Sequence, residues 1–264
     1  MSPPLLARLR VVMAGGALAA VAVTAHAGRT CENKPPRTDN VTRALALAEH
    51  TAAGLDASGA QVVVLARAGQ NLNEYGLRYS HFGFAYRDGA AWRVVHKLNQ
   101  CGTAHAALYR QGLAEFFLDD LDRYEAAVVV PTPDVQAHLL PTLRDNARVA
   151  ALNTPAYNMV AYPWAQTYQQ SNQWALETLA MAEEPSVRTR EQAQAWLKLK
   201  GYTPTTLHLS PFKRLGARMT AANIAFDDHP NEKRFTDRIE TVTVDSVFAW
   251  LNRSGLGGTV QVIR

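Results

Sequence analysis

The chain has 264 residues, a formal net charge of +4 and 47% hydrophobic residues, a composition ordinary for a globular domain with a substantial core. The charge balance is weak, and no run of lysine and arginine interleaved with aromatic residues occurs. Both features argue against a nucleic-acid partner. Eight histidines and two cysteines leave few candidates for a metal or thiol site.

The first 27 residues have the features of a cleavable secretory signal. Arg8 and Arg10 precede an apolar, small-residue run over residues 11–23, and residues 25–27 read Ala-His-Ala. A transmembrane anchor is less favoured, because this run is shorter than the roughly 20 residues that span a bilayer. We expect cleavage after Ala27, a periplasmic or secreted protein, and a mature domain over residues 28–264 without a membrane-spanning segment. Its net charge would be about +2, since the signal carries two arginines and no acid.

Cys31 and Cys101 are the two cysteines, and both would remain after cleavage. In an oxidising compartment an isolated pair is most simply a disulfide, worth about 4 kcal/mol in the chain-entropy model. Two unpaired thiols are the alternative. A bridge would leave no thiol free to act as a nucleophile.

The first half of the mature chain alternates a helix with buried strands. Thr38 or Asp39 can cap a helix that runs to about Leu55, and the β-branched residues over 61–66 predict a buried strand. Two further strands, over residues 80–86 and 91–98, are joined by Asp-Gly, a strong hairpin signal.

The second half predicts further short elements and contains no internal repeat. We expect strands over 126–130, near 207–209 and over 224–226, a last strand before a helix ending near residue 251, and helices at about 134–143, 172–183, 191–199 and 212–219. The fold class is therefore α+β, with a small, mostly antiparallel sheet packed by helices.

The hairpin turn sets the positions of two histidines. If Asp88 and Gly89 form the two-residue loop, His81 lies directly opposite His96 on one face of the sheet, where one imidazole can orient the other. Gly83 and Ala85 on that face would leave room for a helix to approach closely.

Ser171 begins the predicted helix over 172–183, where helix-terminal N–H groups can stabilise an oxyanion. A helix-start serine could present its hydroxyl to His81. The plainer interpretation is that Ser171 only caps the helix, since serine is a favoured N-cap residue.

Two segments resemble a known superfamily. Residues 78–86 read Arg-Tyr-Ser-His-Phe-Gly-Phe-Ala-Tyr, and residues 168–174 read Tyr-Gln-Gln-Ser-Asn-Gln-Trp. The order of a histidine strand, a strand with a polar residue and a later helix start resembles the circularly permuted papain-like proteins related to NlpC-type and YiiX-like peptidases and amidases. The second segment, with the secreted N-terminus, also resembles an uncharacterised bacterial domain-of-unknown-function family.

The superfamily resemblance implies a papain-like core over about 60–185 and a C-terminal α/β extension over about 186–264. It matches His81 to the catalytic histidine, His96 to the orienting residue and Ser171 to the nucleophile. The departure is that papain-like enzymes have cysteine at this last position. A serine must lose its proton during attack, whereas a thiol beside an imidazole ionises readily.

Other polar residues near these segments are weaker candidates. Tyr157, Asn158, Tyr168, Gln169 and Asn172 could line a cleft that leads to Ser171, or could make only loop and turn hydrogen bonds. A metal held by the two histidines and a third ligand is a minor alternative. We predict no cofactor and no metal.

Two functions remain open. The first is a periplasmic hydrolase or acyl-transferase that acts on an amide or ester of a small acyl substrate, with cell-wall peptide favoured by the superfamily resemblance. The second is a catalytically inactive binding module for a peptide, glycan or lipid fragment.

Overall fold

The computed structural model describes residues 35–264, so the predicted signal peptide and Cys31 lie outside the described residues. The disulfide and the cleavage site therefore stay predictions. Cys101 lies in the turn between the third and fourth strands. Within the described residues, no helix is both long enough and apolar enough to cross a membrane.

The fold is a mixed α and β structure built on a six-stranded antiparallel sheet in the order β4-β3-β2-β1-β5-β8, with a separate β6–β7 pair. The strands are β1 Val62–Ala68, β2 His81–Asp88, β3 Ala91–Asn99, β4 Ala106–Gly112, β5 Arg123–Val129, β6 Thr205–His208, β7 Arg238–Thr241 and β8 Gln261–Ile263. The mostly antiparallel α+β class predicted from sequence is confirmed.

Helices cover both faces of this sheet. They are α1 Thr38–Ala57, α2 Leu113–Phe117, α3 Pro133–Arg144, α4 Asn146–Ala150, α5 Ser171–Glu183, α6 Arg190–Leu199, α7 Pro211–Thr220, α8 Asn231–Arg234 and α9 Val244–Arg253. A short 3-10 turn covers Asn73–Tyr75. The helix predicted to begin at Thr38 or Asp39 and the helices predicted after residues 133, 171, 190 and 211 are all present.

Two hydrophobic clusters lie on opposite faces of the sheet. The first face, which we call the α5 face, carries Phe82, Phe84 and Tyr86 and packs against α3, α5, α6 and α9. The second, the α1 face, carries Ala85 and Val94 and packs against α1 and α2. Every residue of β1 is buried because helices cover both faces, which explains why its sequence is apolar apart from Arg67.

The hairpin between β2 and β3 has a different loop from the predicted one. Asp88 pairs with Ala91, so the two-residue loop is Gly89 and Ala90. Gly89 has a φ of 60°, and glycine at the first loop position suits a type II′ turn. The predicted register is therefore wrong by two residues, and His81 is not directly opposite His96. Both histidines keep the same face, because side chains alternate with period two.

The sequence missed five helices and strands and predicted one strand that does not form. Residues 224–226 are irregular, whereas β4, α2, α4, α8 and β8 were not expected. The β4 sequence, Ala-Ala-Leu-Tyr-Arg-Gln-Gly, has no β-branched residue, so it carries little strand signal. It forms a strand because it pairs with β3 along its whole length, from Asn99↔Ala106 to Arg93↔Gly112.

Candidate functional site

Two buried histidines on β2 and β3 form the centre of the candidate site. His81 Nε2 lies 2.9 Å from His96 Nδ1. The β2–β3 ladder pairs Phe84 with Val95, and beyond it Gly83 comes opposite His96. A Cβ on Gly83 would lie only 2.8 Å from the Cβ of His96 and 2.7 Å from the carbonyl oxygen of Val95. Glycine is therefore required for the strands to approach closely here, while His81 reaches His96 diagonally.

A chain of hydrogen bonds fixes the direction of every donor in this pair. The amide nitrogen of Gln111, on β4, donates to Glu115 Oε1 at 3.0 Å, which turns Gln111 Oε1 toward His96 Nε2 at 2.7 Å. Since an amide oxygen only accepts, His96 Nε2 must carry the proton and His96 Nδ1 must accept. His81 Nε2–H then donates to His96, and the lone pair of His81 Nδ1 is left to act as a base.

The surroundings keep both imidazoles neutral. Burial, then the Arg67 guanidinium and then His96 lower the pKa of His81 well below its ordinary value of 6.5. Burial and Arg67 lower the pKa of His96 to about 3. Arg67 is the direct β1 partner of His81 and forms a 3.1 Å ion pair with Asp119. A neutral His81 is the form that can accept a proton.

Ser171 is the first residue of α5 and is 7% exposed. It is not the N-cap: Gln170 holds that position, and its side chain accepts from the backbone N–H of Asn172. The interpretation of Ser171 as a helix cap is therefore wrong. Burial raises the pKa of the Tyr157 phenol, and a hydrogen bond with the Ser171 hydroxyl opposes this shift.

Asn172 joins the first turn of α5 to the start of β2. Its Oδ1 accepts from the backbone N–H of Phe82 at 3.2 Å, and its Nδ2 lies 3.5 Å from the carbonyl oxygen of Ser80. The two chain neighbours of His81 thus both contact the residue after Ser171. Within the described residues, the Ser171 hydroxyl and His81 are not hydrogen-bonded to each other.

The helix that carries Ser171 packs on the other side of the sheet from the one predicted. Its buried residues Trp174, Ala175 and Leu176 belong to the cluster on the α5 face. The two histidine rings instead contact Phe116 of α2 on the α1 face, with ring centroids 6.0 Å and 5.2 Å apart. Gly83 and Ala85 therefore do not make room for α5. Ser171 and His81 can meet only at the end of β2, where Asn172 makes its contacts.

The residues proposed to line a cleft differ in their surroundings. Asn158 and Gln169 are fully buried. The side-chain amide of Asn158 is hydrogen-bonded to Ala225 and Val160. The side-chain amide of Gln169 is hydrogen-bonded to Lys97, Thr154 and Leu152. Neither can reach a ligand. Tyr168 is half-buried and its hydroxyl donates to Asp227 at 3.3 Å. Only Tyr157 and Asn172 adjoin Ser171.

A buried polar network holds α5 in place beneath the site. Glu177 accepts from Arg190 at 2.8 Å and from Gln194 at 2.7 Å. Gln169 links this carboxylate to Lys97, whose Nζ lies 2.7 Å from Gln169 Oε1. Burial, with Arg190 nearby, lowers the pKa of Lys97 to about 7 although Glu177 opposes this shift. These bonds pair the buried Glu177 carboxylate and fix the position of the helix against its neighbours.

Two shallow depressions of the surface lie away from these residues. One, of about 230 Å³, is lined by residues including Asp56, Arg87 and Trp92, and the other, of about 110 Å³, by residues including Glu74 and His208. No group of three or more His, Cys, Asp or Glu side chains among the described residues could hold a metal ion.

Sequence reasoning missed three residues of the site. Gln111 and Glu115 lie on β4 and α2, two elements without a clear sequence signal. Arg67 lies one residue beyond the predicted first strand. The alternation of side chains along β1 could have predicted the position of Arg67. Extending the predicted strand by one residue places this side chain on the same face as Val63 and Leu65.

Comparison with known proteins gives one result. A family model described as an uncharacterized protein conserved in bacteria, DUF2145, matches residues 54–251. No curated protein and no solved structure matches the chain. The matched range includes both histidines, Gln111, Ser171 and the Glu177 network, and it excludes most of α1 and the strand β8.

Proposed function

Since the chain belongs to this bacterial family, whose description names no reaction, we propose its function from the geometry: a papain-like acyl hydrolase or acyl-transferase with serine as the nucleophile. Ser171 is the nucleophile, His81 the general base and His96 the orienting residue. The observation that carries the proposal is the 2.9 Å bond from His81 Nε2 to His96 Nδ1, which leaves His81 Nδ1 unprotonated.

The reaction would follow the order of a serine hydrolase. His81 Nδ1 takes the proton of Ser171 as its oxygen forms a bond to the carbonyl carbon of an amide or ester. The N–H groups of the first turn of α5 stabilise the developing oxyanion. The leaving group departs with the proton from His81, and an ester with Ser171 remains. Water, or another acceptor, then takes the acyl group with His81 again as base.

Three contacts support a role for Ser171. Asn172 ties the first turn of α5 to both chain neighbours of His81, Gln170 relieves Ser171 of the capping role, and the buried Glu177 network fixes the helix. For catalysis, the Ser171 hydroxyl exchanges its hydrogen bond with Tyr157 for one with His81. This exchange is the movement that the mechanism requires.

The fold assignment that accompanies this function is a permuted papain-like core over about 60–185 with an extension over about 186–264. Support comes from the chain order of histidine strand, orienting strand and nucleophile helix, and from the antiparallel sheet. The favoured substrate is a cell-wall peptide in the periplasm, because of the resemblance to the NlpC-type peptidases.

Burial favours a second candidate function. Ser171 is 7% exposed, and its hydroxyl is already hydrogen-bonded to Tyr157. A module that binds a peptide, glycan or lipid fragment without turnover needs no accessible nucleophile. In this case Ser171 would only pack at the start of α5 beside Tyr157, and the two histidines would only join β2 to β3.

Covalent labelling distinguishes the two functions. A fluorophosphonate probe should label the wild-type protein at Ser171, as read by peptide mass spectrometry, and Ser171→Ala should abolish the label. Ser171→Cys should react with iodoacetamide faster than free glutathione does, because a thiol near His81 ionises more readily. Ser186→Ala, at an exposed serine, is the matched control and should label normally. An unlabelled Ser171 together with an ordinary thiol at Ser171→Cys would favour the binding module.

A further inference from the structure

The helix α7 exposes three large apolar side chains to solvent. Phe212 is 87% exposed, Leu215 59% and Met219 78%. Successive residues of an α-helix are about 100° apart around the helix axis, so these three side chains fall within an arc of about 60°. They form one stripe along the outer side of the helix, which we call the α7 stripe.

The charged residues of α7 are all basic and lie outside the α7 stripe. The ten residues of the helix include three basic residues and no acidic one. At the same angular spacing, Arg218 lies about 60° beyond one edge of the stripe, and Lys213 lies about 100° beyond the other. An apolar stripe on a helix whose polar side carries only basic charges is the pattern of a helix that lies in a membrane interface.

The opposite side of α7 is the one that attaches it to the protein. Arg214 donates to the carbonyl oxygens of Arg234 and Thr236, and its guanidinium lies 4.5 Å from the ring centroid of Phe226. Phe235, between those two carbonyl groups in sequence, is itself 76% exposed. The attachment through Arg214 thus holds the α7 stripe outward and keeps another exposed aromatic residue nearby.

A single exposed apolar residue needs no explanation, and Leu199 on α6, at 82% exposed, is one such residue. The α7 stripe differs because three residues share one face of a helix whose charged residues are all basic. Lys213 forms a 2.6 Å ion pair with Glu74, but both side chains remain 54% exposed. A bilayer with anionic head groups can compete for a lysine held in this way.

We propose that α7 docks the protein on an anionic phospholipid bilayer, with Phe212, Leu215 and Met219 in the interface and Lys213 and Arg218 on the head groups. Positive charge selects the anionic surface, and apolar area supplies the rest of the affinity. This inference does not depend on Ser171 or on catalysis. Docking would hold the candidate site at a membrane surface whichever function it has.

The test uses the full chain, vesicles of pure phosphatidylcholine and vesicles with added phosphatidylglycerol. Hydrogen–deuterium exchange reads out α7 itself, so an effect of residues 1–34 on overall binding does not confuse the result. We expect anionic vesicles to slow exchange over 211–220 and phosphatidylcholine vesicles to leave it unchanged. Added salt should reverse the protection, since it screens the basic side chains.

Two sets of variants separate the apolar and charged contributions. Phe212→Ser with Leu215→Ser and Met219→Ser should abolish the protection, and Lys213→Ala with Arg218→Ala should weaken vesicle binding by about tenfold or more. Leu199→Ser is the matched control and should bind like the wild type. Protection that is equal on both vesicle types would overturn the proposal. It would also be overturned if 211–220 is protected without lipid in proportion to protein concentration, because a second copy would then cover the stripe.

Discussion

His81 and His96 are bonded through Nε2 and Nδ1 at 2.9 Å although they are diagonal rather than direct neighbours across β2 and β3. The diagonal contact depends on Gly83, which faces His96, and on Gln111, which sets the direction of the hydrogen bonds. The histidine pair therefore depends on residues of β2, β3 and β4, and a substitution on each of these strands tests it.

Gln111 should control the reactivity of Ser171 from a distance. Gln111→Leu removes the acceptor for His96 Nε2–H, so His96 no longer has a fixed tautomer and His81 Nδ1 can become protonated. We expect fluorophosphonate labelling of Ser171 to slow by about tenfold or more. Gln111→Glu keeps an acceptor and should restore the rate.

A second readout separates this positioning role from a merely structural one. Nitrogen-15 NMR of the wild type should show the protonated nitrogen of His81 to be Nε2, and Gln111→Leu should produce a mixture of tautomers. Gln100→Leu, at an exposed glutamine, is the control. An unchanged tautomer in Gln111→Leu would contradict the hydrogen-bond chain.

Gly83→Ala should destabilise the fold, because its new Cβ meets the Val95 carbonyl oxygen at 2.7 Å and the Cβ of His96 at 2.8 Å. We expect a loss of about 1–3 kcal/mol in the free energy of unfolding, measured by urea denaturation. Gly216→Ala is the matched control, since it stands inside α7 and its added Cβ would meet no atom within 4 Å apart from its own helix backbone and chain neighbours. It should stabilise by up to about 1 kcal/mol. A loss of the same size in both variants would argue against the close approach at Gly83.

Acid should destabilise the folded protein through the two histidines. The pKa of His96 falls from 6.5 to about 3 on folding, and that of His81 is also lowered, so the unfolded chain binds protons that the folded chain does not. The stabilising contribution is complete above pH 6.5 and is lost as the pH falls from 6.5 toward 3. Each histidine contributes a slope of up to about 1.4 kcal/mol per pH unit in this window.

The slope can be assigned by substitution. His96→Gln should reduce the dependence of the unfolding free energy on pH by up to about 1.4 kcal/mol per unit between pH 4 and 6. His208→Gln, at a side chain that is 63% exposed, should not reduce it. If the unfolding free energy of His96→Gln depends on pH as it does in the wild type, burial does not keep His96 neutral in the folded protein.

Glu177 should be essential for the stability of α5. In the wild type, Arg190 Nε lies 2.8 Å from Glu177 Oε2. Glu177→Gln removes this carboxylate and leaves the buried Arg190 guanidinium without an anionic partner. We expect a loss of about 3–5 kcal/mol by urea denaturation. Glu183→Gln, on the same helix and paired with a half-exposed His138, should cost less than about 1 kcal/mol. A small effect at Glu177 would mean that the network does not anchor the helix.

Local sequence was sufficient for most elements of this fold. The β-branched run of β1 and the apolar spacing of α5 predicted their positions to within about two residues, because burial of one face or both faces imposes a period on the chain. Alternation with period two also placed His81 and His96 on the same face despite the wrong loop. Ser171 was predicted at a helix start because the apolar spacing of α5 begins just after it.

Tertiary structure decided what lies around these residues. Which face of the sheet α5 covers depends on packing of Trp174 and Leu176 against β2, and the alternation of β2 fits either face equally well. Gln111 reaches His96 only because β4 pairs with β3, a long-range contact that overrides the weak strand propensity of residues 106–112. The polarity of the hydrogen bonds at His81 follows from that pairing, so the sequence could name the histidines but not the nitrogen that is left free.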